Sequence, residues 1–171
     1  SARRFMGRVD HRFNFELSKE QIDLYLRQSK MDKAIASLDS LRKASDQDHF
    51  DNSERSSIHA GYARYHRLNN RPDLALQSIS EAIDQYRDGT GLLIAPNFDL
   101  LEYCLLQANL LIQDVNPTDK STYSALKKCI IEGLDIATQL LDYNSFQDKD
   151  GYIPSFFREI SELGFRAISL S

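Results

Sequence analysis

Glycine and proline are scarce in this chain, seven and four among 171 residues, and strand-favouring clusters are absent. An all-β fold is therefore not expected. Apolar residues never run on for the roughly eighteen positions that a bilayer-spanning helix requires. Basic residues are outnumbered, 21 against 25 acidic ones, for a net charge of −4. That balance argues against direct nucleic-acid binding, which needs a basic face against the phosphates. The two cysteines, Cys104 and Cys129, form no CxxC, so a zinc or redox site has little support. Each lies in an apolar helical pattern and reads as a buried free thiol, with a disulfide between neighbouring helices as the alternative. No glycosylation sequon with a permitted middle residue occurs, and a cytoplasmic location is favoured with the periplasm left open. The first residues are neither a start methionine nor a signal peptide, so we expect a fragment of a longer protein.

Catalytic signatures are missing too. There is no Gly-rich phosphate loop, GxSxG elbow or HExxH motif. Of the four histidines, His59 and His66 share a helical pattern but would lie about 10 Å apart along its axis. One metal, with ligands at about 2 Å, cannot reach both. The acidic stretch Ser45 to Ser57 and the segment Asp148 to Gly151 imitate pieces of a calcium loop, but Phe50, Phe146 and Phe157 fall where oxygen ligands are required. We expect no catalytic residue, no metal site and no cofactor, and hence no enzyme.

What is present is helical periodicity. In Ile58 to Tyr86, the residues Ile58, Tyr62, Tyr65 and Leu68 recur at three- and four-residue spacing, and Leu76, Ile79, Ala82, Ile83 and Tyr86 do so again. Between them stands Asn69-Asn70-Arg71-Pro72, in which Asn tolerates the left-handed backbone that ends a helix and Pro suits a first helical turn. The small residues Ala63 and Ala75 permit close approach across that turn. The stretch is predicted to be a helical hairpin.

This hairpin resembles a tetratricopeptide repeat. Tyr62-Ala63 supply the family's bulky-small pair in the first helix, and Ala75, Ile79 and Ala82 fall at its offsets in the second. His59 and His66 stand where the family has aromatics, and its closing proline is replaced by Arg87-Asp88. Upstream, Ala34, Leu38 and Leu41 take the same offsets and Tyr25 the family's tyrosine position, a degraded repeat 41 residues earlier. The resemblance implies an all-α fold, a right-handed superhelix of antiparallel helix hairpins with about seven helices.

Along the chain, residues 1–16 are expected to be a basic linker or packing segment, with Arg4, Arg8 and Arg12 beside Phe5, Val9 and Phe13; a membrane-surface or nucleic-acid contact is the other reading. Residues 17–171 are expected to form the helical domain, with hairpins at about 18–44, 53–87 and 97–143 and a terminal helix at 152–169. Ser18 to Gln21 has capping-box spacing, and Ser29-Lys30 marks a turn. Ser45 to Ser57 reads as a polar loop. Asn97 reads as a cap for an almost wholly apolar helix, Leu100 to Ile112, expected at the centre of the stack. Adjacent Phe156 and Phe157 cannot both enter one core.

The family's first helices line a groove that takes peptides or helices. Carried over by the Tyr62-Ala63 match, the groove positions are Ala60, Arg64 and Arg67 in the second hairpin. The matching positions are Lys19, Asp23 and Leu26 in the first, and Glu102, Leu105 and Asn109 in the third. Of the family's carboxylate clamp only Lys19 and Asn109 match, since Asp23 and Arg64 replace Asn, so a binder of acidic peptide tails is not expected. Arg64 and Arg67 on one face could pair with a carboxylate, or stand as two solvated arginines. The expected function is a protein- or peptide-binding scaffold, with self-association left open. The alternative is a signal-receiving domain of a bacterial transcription regulator or sensor kinase, which would need a closed apolar pocket near Leu105 and Asn109.

Overall fold

The computed structural model describes residues 2–47, 50–91, 97–113, 120–144 and 152–169. Among these the fold is all-α, with seven helices: α1 (Ala2–Arg27), α2 (Met31–Gln47), α3 (Asn52–Leu68), α4 (Pro72–Asp84), α5 (Phe98–Gln113), α6 (Lys120–Asn144) and α7 (Tyr152–Ser169). They gather into two compact units, Ser1–Gln85 and Tyr86–Ser171.

In the first unit α1 packs on α2, both pack on α3, and α3 pairs closely with α4. The two turns joining the hairpins are built alike. Ser29 and Asn70 both take a left-handed φ of 56°. After α1, the Lys30 amide donates to the Tyr25 carbonyl and the Ser29 amide to that of Leu26; after α3, Arg71 donates to His66 and Asn70 to Arg67. This double bond pattern satisfies carbonyls that a helix end leaves open. The turns lie 41 positions apart, as do Ala34 and Ala75, both fully buried one turn further on. Thus the two turns repeat in backbone geometry, and each is followed at the same distance by a buried alanine.

Two local expectations are corrected. Ser18 does not start a helix: α1 runs through it unbroken, and its hydroxyl donates to the Asn14 carbonyl 2.8 Å away, one turn back. Residues 11–16 accordingly belong to a packed helix, with Phe15 buried and meeting Phe50 edge-on at 5.7 Å. The expected loop from Ser45 to Ser57 is also too long, because α2 continues to Gln47 and α3 begins at Asn52. Its start is a capping box: the Asp51 carboxylate accepts from the Glu54 amide at 2.9 Å, and the Glu54 carboxylate accepts from the Asp51 amide at 3.0 Å. The acid pair Asp51 and Glu54, three apart, was the signal for that start. Arg55 then ties the connection down by donating to the carbonyls of Phe50 and Ser45.

Close approach has identifiable causes. A Cβ at Gly61 would stand 2.7 Å from Leu38 Cδ2, so α3 meets α2 there because glycine leaves the space. Ser56, fully buried, donates to the Ala82 carbonyl of α4 at 2.6 Å.

In the second unit α5 and α6 pair, and α7 packs on both. Asn97 caps α5 as expected, its side chain accepting from the Leu100 amide at 2.9 Å. Arg87 holds the segment after α4 against α6 through two bonds to the Glu132 carboxylate, at 3.0 and 2.9 Å, while its other nitrogen donates to the Gly91 carbonyl. Phe156 fills the core and Phe157 is half-buried beside it. Gly133 admits the Phe156 ring, whose Cζ would lie 2.9 Å from an added Cβ. Cys104 and Cys129 are free and buried, and the Cys129 thiol donates to the Cys104 carbonyl at 3.1 Å. The segment Asp148 to Gly151, which imitates a piece of a calcium loop in sequence, lies outside the described residues. Among the described residues no helix is long and apolar enough to cross a membrane.

Candidate functional site

Successive turns of a helix place residues four apart on one face, so Lys19 and Asp23 project together from α1. Arg64 meets them from α3: its Nη1 donates to Asp23 Oδ1 at 3.4 Å. Lys19 turns along its own helix to Glu16, Nζ to Oε2 at 2.9 Å. These side chains are a quarter to a half exposed, so solvent screens the pairs and each contributes a fraction of a kcal/mol, about 0.2–1. Together they make a polar seam where the first helices of the two hairpins touch.

Beneath the seam lies a small cavity lined by Phe15, Ile22, Leu38, Ser57 and Gly61 as well as by Lys19, Asp23 and Arg64. Its volume is about 10 Å³. That is room for a single water and no more.

The other expected groove positions divide. Arg67 is exposed on α3, one turn beyond Arg64. Ala60 is 1% exposed and Leu26 6%, so both face the core and neither offers a surface. The two helices meet too closely there for small or apolar groups to stay open to solvent. Asn109, on α5 in the other unit, spends its side-chain donor on the Leu105 carbonyl of its own helix, at 2.9 Å. Lys19, Asp23, Arg64 and Arg67 are thus brought onto one unit. Glu16 was not among the expected groove positions, although its place three before Lys19 signals an ion pair along the helix.

The opposite flank of α3 carries a different set. Tyr62 donates to Asp39 of α2, and Arg42 lies over its ring at 5.8 Å. Burial first, and then that hydrogen bond, raise the Tyr62 phenol above its ordinary pKa. His59 Nδ1 sits 3.0 Å from Glu81 of α4, yet burial outweighs the carboxylate and lowers its pKa; Arg42 and Arg55 act in the same direction. His66 packs on Tyr62 and Tyr65, and burial followed by the Arg71 charge lowers its pKa as well. His59 thus contacts the neighbouring helix α4, while the ring contacts of His66 lie within α3 itself. Among the described residues no three His, Cys, Asp or Glu side chains gather closely enough to hold a metal ion.

Comparison with protein-family models, with curated proteins and with solved structures finds no match to this chain.

Proposed function

We propose that this chain is a protein- or peptide-binding helical scaffold whose first two hairpins are degenerate tetratricopeptide-like repeats. The observation that carries the reading is the polar seam of Lys19, Asp23 and Arg64 above a cavity of about 10 Å³. Side chains converge from the first helices of two hairpins, as a groove requires, while the space behind them has room for one water and not for a ligand. Recognition at this place therefore happens on the outer face. The 41-residue recurrence of turn geometry supports the repeat assignment, because stacked hairpins of one design present equivalent positions side by side.

Charged groups already paired within the chain favour a partner that brings both signs. Such a segment exchanges ion pairs with Asp23 and Arg64 rather than adding an uncompensated charge. The test is selection of peptides from a random displayed library on the immobilised protein. Dissociation constants of the selected sequences are then measured for the wild type, Lys19→Glu and the double variant Arg64→Glu/Arg67→Glu. Circular dichroism controls for folding. Weakening of tenfold or more in the folded variants is expected. Equal affinity for all three proteins, or no selected peptide, would overturn the reading.

A further inference from the structure

Cys104 of α5 and Cys129 of α6 are 1% and 2% exposed, and neither takes part in the seam. The Cys129 thiol reaches across to the opposite main chain, where it donates to the Cys104 carbonyl at 3.1 Å. The two thiols touch as well: contact with Cys104, and then burial, raises the Cys129 thiol well above its ordinary pKa. Gly133 explains the closeness. It stands one turn after Cys129 on the same side of α6, and a Cβ there would lie 3.4 Å from Cys104 Cβ and 2.9 Å from Phe156 Cζ. Cys104 thus rests on bare α6 backbone, and the Phe156 ring of α7 covers the same turn. A disulfide between two helices needs backbones that approach closely and cysteines turned toward each other. Here one sulfur already lies against the other cysteine's thiol and carbonyl.

We propose that Cys104 and Cys129 are an oxidation site, which a hydroperoxide closes to an intramolecular disulfide tying α5 to α6. One thiolate attacks a peroxide oxygen; the S–O bond forms, the O–O bond breaks, and the departing hydroxide takes up the thiol proton as water. The second thiol then attacks the sulfenic sulfur, the S–S bond forms, and the S–O bond breaks to release a second water. Each sulfur gives up one electron, and both electrons go to the peroxide. Burial selects this product over others. Neither sulfur has space for a bulkier adduct such as glutathione, and a sulfenic acid has its partner thiol in contact before a second peroxide arrives. Closure removes the thiol donor from the Cys104 carbonyl, yet within α5 that oxygen still accepts from the Ala108 amide one turn on. Because packing covers both sulfurs and Cys129 keeps its proton, oxidation waits on local opening and is slow. The bond spans 25 positions and lies wholly within the unit Tyr86–Ser171, so it does not depend on the seam of the other unit.

The test starts from the reduced chain, incubated overnight with hydrogen peroxide under native conditions and then denatured in iodoacetamide. Mass spectrometry is expected to show no alkyl group on either cysteine. After digestion it should show one pair of peptides joined through Cys104 and Cys129 with the loss of two hydrogens. Dithiothreitol should restore alkylation at both. The oxidised chain should melt about 5–10 °C above the reduced one, since an unstrained cross-link removes conformations from the unfolded state alone. Cysteines that stay alkylatable, that end as sulfinate or sulfonate, or that link two chains would overturn the proposal. So would a cross-linked chain that melts at or below the temperature of the reduced one, because the bond would then be strained into place.

Discussion

Gly61 allows a sharp test of how α2 and α3 are held. Replacing it with alanine adds one methyl group to a helix that otherwise gains from the change, since Gly in a helix interior costs about 1 kcal/mol relative to Ala. The new Cβ, however, would stand 2.7 Å from Leu38 Cδ2, and Leu38 is itself only 1% exposed, so its side chain can shift only toward the cavity of about 10 Å³ that it lines with Gly61. Overpacking of this kind costs about 1–3 kcal/mol. Subtracting the propensity gain leaves Gly61→Ala destabilised by about 1 kcal/mol, with roughly 2 as the upper end. The decisive measurement is the double-mutant cycle. Leu38→Ala alone removes a buried side chain and costs about 2–5 kcal/mol, but it also removes the clashing atom. In that background Gly61→Ala should become stabilising, by about 1 kcal/mol, so the cycle's coupling energy is of order 2 kcal/mol. Urea unfolding of the four proteins supplies the numbers. If Gly61→Ala stabilises the wild type as much as it stabilises the Leu38→Ala protein, the close approach of α2 and α3 is not what glycine serves.

Three further outcomes are expected. Ser29→Gly should stabilise the chain by up to about 1 kcal/mol, because serine strains at its positive φ, while Asn70→Gly should gain less since asparagine tolerates that region; equal gains in urea unfolding would count against this account. His59 and His66 have folded pKa values below the ordinary 6.5, so the unfolded chain binds more protons between the folded and unfolded values. Stability should therefore fall as pH drops below about 6.5, and His59→Gln/His66→Gln should flatten that slope when melting is followed across pH 4.5–7.5. The Cys129 thiol, raised well above its usual pKa by contact with the Cys104 thiol and then by burial, should resist iodoacetamide in the folded protein at pH 7.5 and react once denatured. Fast labelling of the native chain, read by mass spectrometry, would contradict the buried placement.

The sequence by itself determined the helical class and most of the punctuation. Apolar spacing placed α3 and α4, Asn97 announced the cap of α5, and Ser29 with Asn70 marked two turns whose backbone geometry is the same. These signals are local: period, capping and turn chemistry act within a few residues and can be read one segment at a time. The start of α1 was misread because a Ser-to-Gln spacing imitates a capping box when nothing shows that the helix has already begun. The start of α3 was legible in Asp51 and Glu54, but the surrounding run of acids and serines offered several equivalent candidates.

Only the tertiary structure decided which faces close. Ala60 and Arg64 stand one turn apart on α3, yet one is buried and the other reaches Asp23 on α1, forty-one positions earlier in the chain. Gly61 and Gly133 look like weak points in a helical pattern until Leu38 and Phe156 are seen occupying the space. Phe13, Leu17 and Leu24 have the spacing of a core and are exposed. Periodicity fixes that a helix has an apolar side, but burial is settled by what the rest of the chain brings against it, and that depends on contacts between residues far apart in sequence.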